Sequence, residues 1–206
     1  MCFSATASFV AGGALSAAGL ATVTKATKRE LPLASIPLLF GLQQLVDGAV
    51  WVTSETSKLH VIAVYAYAAF AFVFWPIFTP LAVLLVETQP LRKRILVVLL
   101  VVGAGLSAFL LNALVLNGAD AHMLPSCIAY AIPHKYGTLS IFLYLLAVNG
   151  SFLVSSKKIL RVFGITLLIS FAIAGWFYEV TFSSTWCFFA AVLSGILFLY
   201  FQRDGS

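Results

Sequence analysis

The chain has 206 residues, of which 62% are hydrophobic and only 9% are charged. Soluble domains are about a quarter charged, so this composition excludes a soluble protein and indicates an integral membrane protein. The net charge of +5 does not indicate a nucleic-acid partner, because the basic residues flank the hydrophobic runs, where they orient membrane proteins. We expect a single domain whose main partner is the lipid bilayer.

Seven hydrophobic runs have about the length that a helix needs to cross a bilayer. They lie at residues 4–23, 31–53, 59–86, 95–116, 136–154, 159–181 and 185–201. The sequence therefore predicts an all-α fold, a polytopic bundle of seven transmembrane helices that forms one domain over residues 1–206. The first run has basic residues after it and none before it, which favours an uncleaved span over a signal peptide.

Basic residues are distributed unevenly between the two sides of this predicted bundle. Ten fall on the side of the first loop: Lys25, Lys28, Arg29, Arg92, Lys93, Arg94, Lys157, Lys158, Arg161 and Arg203. Only Lys58 and Lys135 fall on the other side. Because cytoplasmic loops are enriched in Lys and Arg, this pattern predicts an outer amino terminus and a cytoplasmic carboxyl terminus.

The second run carries polar residues in the half where we expect the outer face. Gln43, Gln44 and Asp47 lie there, and Gln43, Asp47 and Trp51 share one helix face because they are spaced four residues apart. A carboxylate within a span costs about 3 kcal/mol on insertion scales and normally faces a bundle interior or a wet cavity. We expect this stripe to line a polar pocket that opens to the outer face.

The sixth run carries Glu179, the other acid that we place within a span. Trp176, Glu179 and Ser183 have the spacing of one helix face, and Trp186 opens the last run. If both stripes face inward, Asp47 and Glu179 would share a small volume and could bind a cation or couple to protons. The alternative is that both acids make structural hydrogen bonds only.

The three cysteines and three histidines all lie toward the predicted outer face. Cys2, Cys127 and Cys187 are candidates for a disulfide, but the sequence does not decide which two would pair. If Met1 is removed, Cys2 presents an amine and a thiol and could act as a catalytic nucleophile or bind a soft metal. The histidines lack ligand spacing, so we expect no metal site among them, and no cofactor is identified.

The opening residues Met-Cys-Phe-Ser-Ala-Thr-Ala-Ser-Phe resemble the start of an uncharacterised family of bacterial membrane proteins, a domain of unknown function. The similarity continues at 33–44, Trp51, Trp75-Pro76 and 184–191. Family members commonly have glutamate where this chain has Asp47, so the charge is kept on a shorter side chain. The resemblance covers most of the chain. It implies a location in the inner membrane of a bacterium, but it implies no activity.

Three functions remain open. The first is binding or transport of a small polar or cationic solute, with Asp47 and Glu179 as the charged contacts. The second is a membrane enzyme or redox protein that uses Cys2. The third is an accessory subunit of a membrane complex, or a homo-oligomer, in which the polar stripes join helices.

Overall fold

A computed structural model describes residues 4–124, 127–177 and 181–204, most of which are helical. The helices are α1 (Ala5–Val23), α2 (Leu31–Ala34), α3 (Ile36–Val52), α4 (Lys58–Ala68), α5 (Trp75–Val86), α6 (Pro90–Asn117), α7 (Gly137–Val154), α8 (Lys158–Phe177), α9 (Phe182–Leu193) and α10 (Gly195–Asp204). A π-helical segment, Ala69–Phe74, joins α4 to α5. Between α6 and α7, strands β1 (Asp120–Met123) and β2 (Ile128–Ala131) pair antiparallel, in the stretch that separates the predicted spans 95–116 and 136–154.

Within the described residues, six helices are long and apolar enough to cross a membrane: Ala5–Val23, Lys58–Val86, Pro90–Asn117, Gly137–Val154, Lys158–Phe177 and Phe182–Gln202. The prediction of a multi-pass helical membrane protein is therefore confirmed. The predicted second span is divided at Ser35 into α2 and the shorter apolar helix α3. Pro37 explains the division, because it has no N–H to donate to the carbonyl of Leu33 and instead occupies the first turn of α3.

Small residues allow α1 and α3 to pack closely. A Cβ atom at Gly19 would overlap the backbone of Leu38, and one at Gly12 would lie 2.8 Å from the side chain of Leu45. Close approach at small residues is the usual way in which membrane helices associate. The small-residue face of α1 therefore holds α3, and with it the polar residues of α3, against the first helix.

The π-helical segment accommodates a break in the hydrogen-bond ladder of the third long helix. Pro76 has no N–H, so it cannot donate to the carbonyl one turn earlier. Hydroxyl groups from neighbouring helices bond two carbonyls of the segment: Ser107 donates to Val73 O at 2.6 Å, and Tyr144 donates to Ala71 O at 2.7 Å. The segment is thus tied to both α6 and α7.

At the end of the bundle opposite the hairpin, Glu87 joins two connections. Its carboxylate accepts hydrogen bonds from the backbone N–H groups of Thr88, Gln89 and Ser156, at 2.8, 2.9 and 2.6 Å, and from the Ser156 hydroxyl at 2.7 Å. Burial alone would raise the pKa of Glu87, but the donors of Gln89 and Ser156 outweigh it and hold that pKa at about 2. Arg92 adds two bonds to backbone carbonyls at the end of α7.

Gly103 of α6 allows close contact with the proline-rich helix, which generates a prediction. Its substitution by alanine should lower the thermal midpoint of the detergent-solubilised protein by several degrees, because the new methyl group would overlap the carbonyl oxygen of Pro76. Overpacking of this kind costs about 1–3 kcal/mol. A thermal melt followed by size-exclusion chromatography measures the effect.

Gly105→Ala is the matched control for Gly103→Ala. A Cβ atom at Gly105 would meet no atom within 4 Å, so we expect this variant to melt at or slightly above the wild-type temperature. Equal midpoints for the two alanine variants would contradict the packing of α6 against Pro76.

Candidate functional site

Asp47 lies at the centre of a polar cluster at the hairpin end of the bundle. It is fully buried on α3, where the Ser8 hydroxyl of α1 donates to Oδ2 at 2.8 Å and the Tyr130 hydroxyl of β2 donates to Oδ1 at 2.8 Å. Both carboxyl oxygens therefore act as acceptors, which is the arrangement that suits an ionised carboxylate. Asp47 thereby joins the first helix, the third helix and the hairpin.

Tyr130 is held on three sides. Its ring stacks on Tyr67 of α4 with centroids 3.8 Å apart, and its backbone carbonyl accepts a hydrogen bond from the Ser183 hydroxyl of α9 at 3.1 Å. Burial raises the pKa of Tyr130, and the neighbouring Asp47 raises it further, so the hydroxyl stays protonated and remains a donor. The hairpin is thus fixed to α3, α4 and α9 through one residue.

The two glutamines of α3 are fully buried and have different surroundings. Trp75 Nε1 donates to Gln43 Oε1 at 2.9 Å, and the Trp75 ring stacks on Phe40. Gln43 Nε2 and both amide atoms of Gln44 have no partner in hydrogen-bonding geometry among the described residues. The same holds for the indole nitrogen of Trp51 and the hydroxyl of Tyr67. A buried polar atom without a hydrogen bond lowers the stability of the fold. These atoms therefore remain available to donate hydrogen bonds to a ligand or to accept them from one.

A cavity of about 280 Å³ adjoins this cluster beneath the hairpin. It lies between the π-helical segment, α6, β2 and the hairpin-side ends of α7, α8 and α9. Most of its lining is apolar or aromatic, and the polar exceptions are Tyr130, His134, Ser140, Tyr144, Ser183 and Cys187. Asp47 and Gln43 do not line it among the described residues; Tyr130 separates the carboxylate from the cavity by one hydrogen bond.

The predicted stripe on the sixth span is not placed on one helix. The described part of α8 extends to Phe177. Trp176 on this helix is 84% exposed, and Ser183 belongs to α9. Glu179 lies outside the described residues. Trp186 does reach the site: it is buried, lines the cavity and donates from Nε1 to Leu167 O at 3.3 Å.

The cysteines have separate positions. Cys187 is a free, buried thiol that lines the cavity and lies beside the side chains of Tyr67 and Gln43. Cys127 is buried immediately before the first residue of β2. Cys2 lies outside the described residues. The disulfide stays a prediction. Because Cys187 is a free thiol, Cys2 and Cys127 are the two cysteines left that could form it.

Several residues of the site were missed by reasoning from sequence. Ser8 and Tyr130 contact Asp47 from elements far away in the chain, and His134 and Ser140 line the cavity. The run Ile-Ala-Tyr-Ala-Ile at 128–132 alternates large and small residues, which is a strand signal that pointed to Tyr130. Nothing in the local sequence marked Ser8.

Replacement of Tyr130 by phenylalanine should destabilise the protein, because Asp47 loses one of its hydroxyl donors while remaining buried. Hydrogen bonds to charged groups contribute about 1.5–3 kcal/mol, which corresponds to a thermal midpoint several degrees lower. Tyr65→Phe is the control, because Tyr65 on α4 is 39% exposed. A melt in which both variants match the wild-type midpoint would contradict the role given to the Tyr130 hydroxyl.

The comparisons with known proteins identify a family without identifying an activity. No curated protein and no solved structure matches the chain. A model of a protein family matches residues 1–206, the whole length of the chain. The chain therefore belongs to a family of unknown function (DUF6629).

Proposed function

We propose that the protein binds a small, largely apolar molecule in the cavity beneath the hairpin. The composition of the cavity wall is the observation that carries this proposal: apolar and aromatic side chains surround a few polar groups that could orient a ligand. Small-molecule sites have this composition, with volumes of roughly 300–1,000 Å³, so a cavity of about 280 Å³ suits a small ligand or one medium-length alkyl chain.

Asp47 has an indirect role in this proposal. It fixes the hydroxyl of Tyr130, and Tyr130 forms part of the cavity wall. The carboxylate would then position the wall and would not contact the ligand itself. The ligand would contact the phenol ring of Tyr130 and not the carboxylate of Asp47, whereas direct binding of a solute would place it against the carboxylate.

Binding of a small polar or cationic solute at Asp47 is the second candidate. It is favoured by two polar groups buried near the carboxylate, Gln43 Nε2 and the Tyr67 hydroxyl, whose polar neighbour is the weakly hydrogen-bonding Cys187 thiol. Transport through Asp47 and Glu179 would require Glu179 at the same site. An enzyme based on Cys2 and an accessory or oligomeric subunit stay predictions.

The membrane topology is part of the proposal. We infer seven spans, with α3 as the shorter seventh one, and the hairpin and cavity on the outer face of a bacterial inner membrane. The distribution of charge supports this orientation, because the connections at the end opposite the hairpin carry most of the basic residues. The ligand would then reach the cavity from outside the cell or from the outer leaflet.

A photoreactive alkyl probe tests the proposed function. The full chain in lipid nanodiscs is irradiated with a medium-chain alkyl diazirine, and labelled peptides are mapped by mass spectrometry. We expect labelling of residues 130–144 and 182–187 that saturates and is competed by unlabelled alkyl compound. Labelling of lipid-facing helices should not saturate.

A variant with a larger side chain in the cavity wall is compared with a variant that has the same substitution elsewhere. Gly137 lines the cavity and a Cβ atom there would meet no atom within 4 Å, so we expect Gly137→Leu to fold and to reduce the space available to a ligand. A Cβ atom at Gly105 would likewise meet no atom within 4 Å, but Gly105 does not line the cavity. The saturable labelling should disappear in Gly137→Leu and persist in Gly105→Leu; labelling that never saturates in the wild type would refute the proposed function.

A further inference from the structure

Two of the polar side chains that line the cavity are joined by a hydrogen bond. His134 Nε2 lies 3.1 Å from Ser140 Oγ, and His134 Nδ1 lies 2.6 Å from the backbone carbonyl oxygen of Ile132. Ser140 is buried on the first turns of α7, and His134 is half-buried in the segment that leads from β2 into that helix. The hairpin fold therefore brings a hydroxyl and an imidazole together inside an apolar cavity.

The hydrogen bonds determine which nitrogen of His134 carries the proton. A carbonyl oxygen can only accept, so Nδ1 must donate to Ile132 O. In the neutral ring, Nε2 is then an acceptor, and the hydroxyl of Ser140 donates to it. This is the arrangement of a serine nucleophile and its general base, with a backbone carbonyl in the orienting position that a carboxylate usually occupies.

Helix α7 begins at Gly137, three residues before Ser140, so backbone N–H groups of its first turn lie close to Ser140 in the chain; the N–H of Ser140 itself donates to Tyr136 O at 2.9 Å. Helix α7 follows Tyr136, which has a φ angle of 69° and supplies no side-chain cap. Among the described residues, Tyr136 is the one non-glycine residue with positive φ, and such strain is concentrated at functional sites. The first N–H groups of a helix have no partner within it, and Gly137, at the start of α7, lines the same cavity. These groups could stabilise a negative oxygen that forms near Ser140.

We propose that Ser140 and His134 form a catalytic pair that cleaves a carboxylic ester whose acyl chain occupies the cavity, an inference that rests on the proposed binding function. Ser140 Oγ attacks the ester carbonyl carbon while its proton passes to His134 Nε2. Collapse of the tetrahedral intermediate breaks the bond to the alcohol, which leaves with that proton.

Water completes the reaction. A water molecule attacks the acyl-serine, gives one proton to His134 Nε2 and releases the carboxylic acid as that proton returns to Ser140 Oγ. His134 is only half-buried, so part of this residue is accessible to solvent. No oxidant, metal or cofactor is needed for this sequence, because all bonds are exchanged between the ester, water and the two side chains.

A medium-chain alkyl fluorophosphonate is the test reagent, because it reacts with serine residues that have an activated hydroxyl. We expect the full chain in nanodiscs to form a phosphonate adduct on Ser140, located by peptide mass spectrometry. The adduct should be absent in Ser140→Ala, and its rate of formation should fall about 100-fold or more in His134→Asn, since general-base catalysis contributes about 10²–10⁴-fold.

Matched controls separate chemistry from folding. Ser151 is buried on the same helix and bonds within it to Ala147 O, and His122 lies on β1. Ser151→Ala and His122→Asn should react at the wild-type rate. Because the adduct is mapped on the wild-type chain, the test does not depend on the Ser140 variant being folded.

Parallel labelling with the alkyl diazirine distinguishes the two proposals. Saturable diazirine labelling without any adduct on Ser140, or with an adduct that forms as fast in His134→Asn, would overturn the catalytic pair and leave the binding function in place. Loss of both the adduct and the saturable labelling in the wild type would overturn both.

Discussion

A buried carboxylate that accepts hydrogen bonds from two other elements holds the hairpin end of this bundle together. Asp47 is fully buried, so it must find its donors inside the protein, and Ser8 and Tyr130 supply them from α1 and β2. A charge at a buried position in a span costs a few kcal/mol or more, and bonds to charged groups return about 1.5–3 kcal/mol each. The two hydrogen bonds offset the cost of burying the carboxylate only when Ser8 and Tyr130 are both in place. Asp47 therefore favours the arrangement of α1, α3 and the hairpin that is seen in the structure.

The cavity depends on that arrangement. Tyr130 is at once a donor to Asp47, a stacking partner of Tyr67 and part of the cavity wall. The same hairpin leads directly into the segment with His134 and the first turn of α7 with Ser140. A shift of the hairpin would therefore alter the wall and separate the hydroxyl from the imidazole. The architecture and the proposed chemistry rest on one set of contacts.

The sequence was informative where a pattern repeats along one element. Hydropathy located the long helices to within a few residues, and the i, i+4 spacing correctly placed Gln43 and Asp47 on the buried face of α3. Pro37 is a local signal for the break at Ser35, but local pattern could not show that Trp176 and Ser183 belong to different helices, because both lie close to or within predicted hydrophobic runs. Trp176 lies on α8 and Ser183 on α9, and the role of this stripe in ligand binding stays a prediction.

The sequence predicted the buried carboxylate of the site but not the residues that contact it. Asp47 was conspicuous because a charge within a span is costly, whereas its partners are a serine and a tyrosine that are ordinary in their own surroundings. Ser8 and Tyr130 become partners through tertiary contacts across 39 and 83 residues of sequence. His134 and Ser140 were likewise unremarkable as a loop histidine and a helix serine until the hairpin placed them in one cavity.

Hydrogen–deuterium exchange of the backbone amides in Asp47→Asn and in the wild type tests the central claim most directly. The asparagine keeps the shape of the side chain but replaces one acceptor oxygen with an N–H donor that opposes the hydroxyl bonded there. If Asp47 holds the hairpin, the paired amides of β1 and β2 should exchange faster in Asp47→Asn, while amides of α6 around Gly103 keep their wild-type protection. Unchanged protection of the hairpin in a folded Asp47→Asn protein would contradict the account.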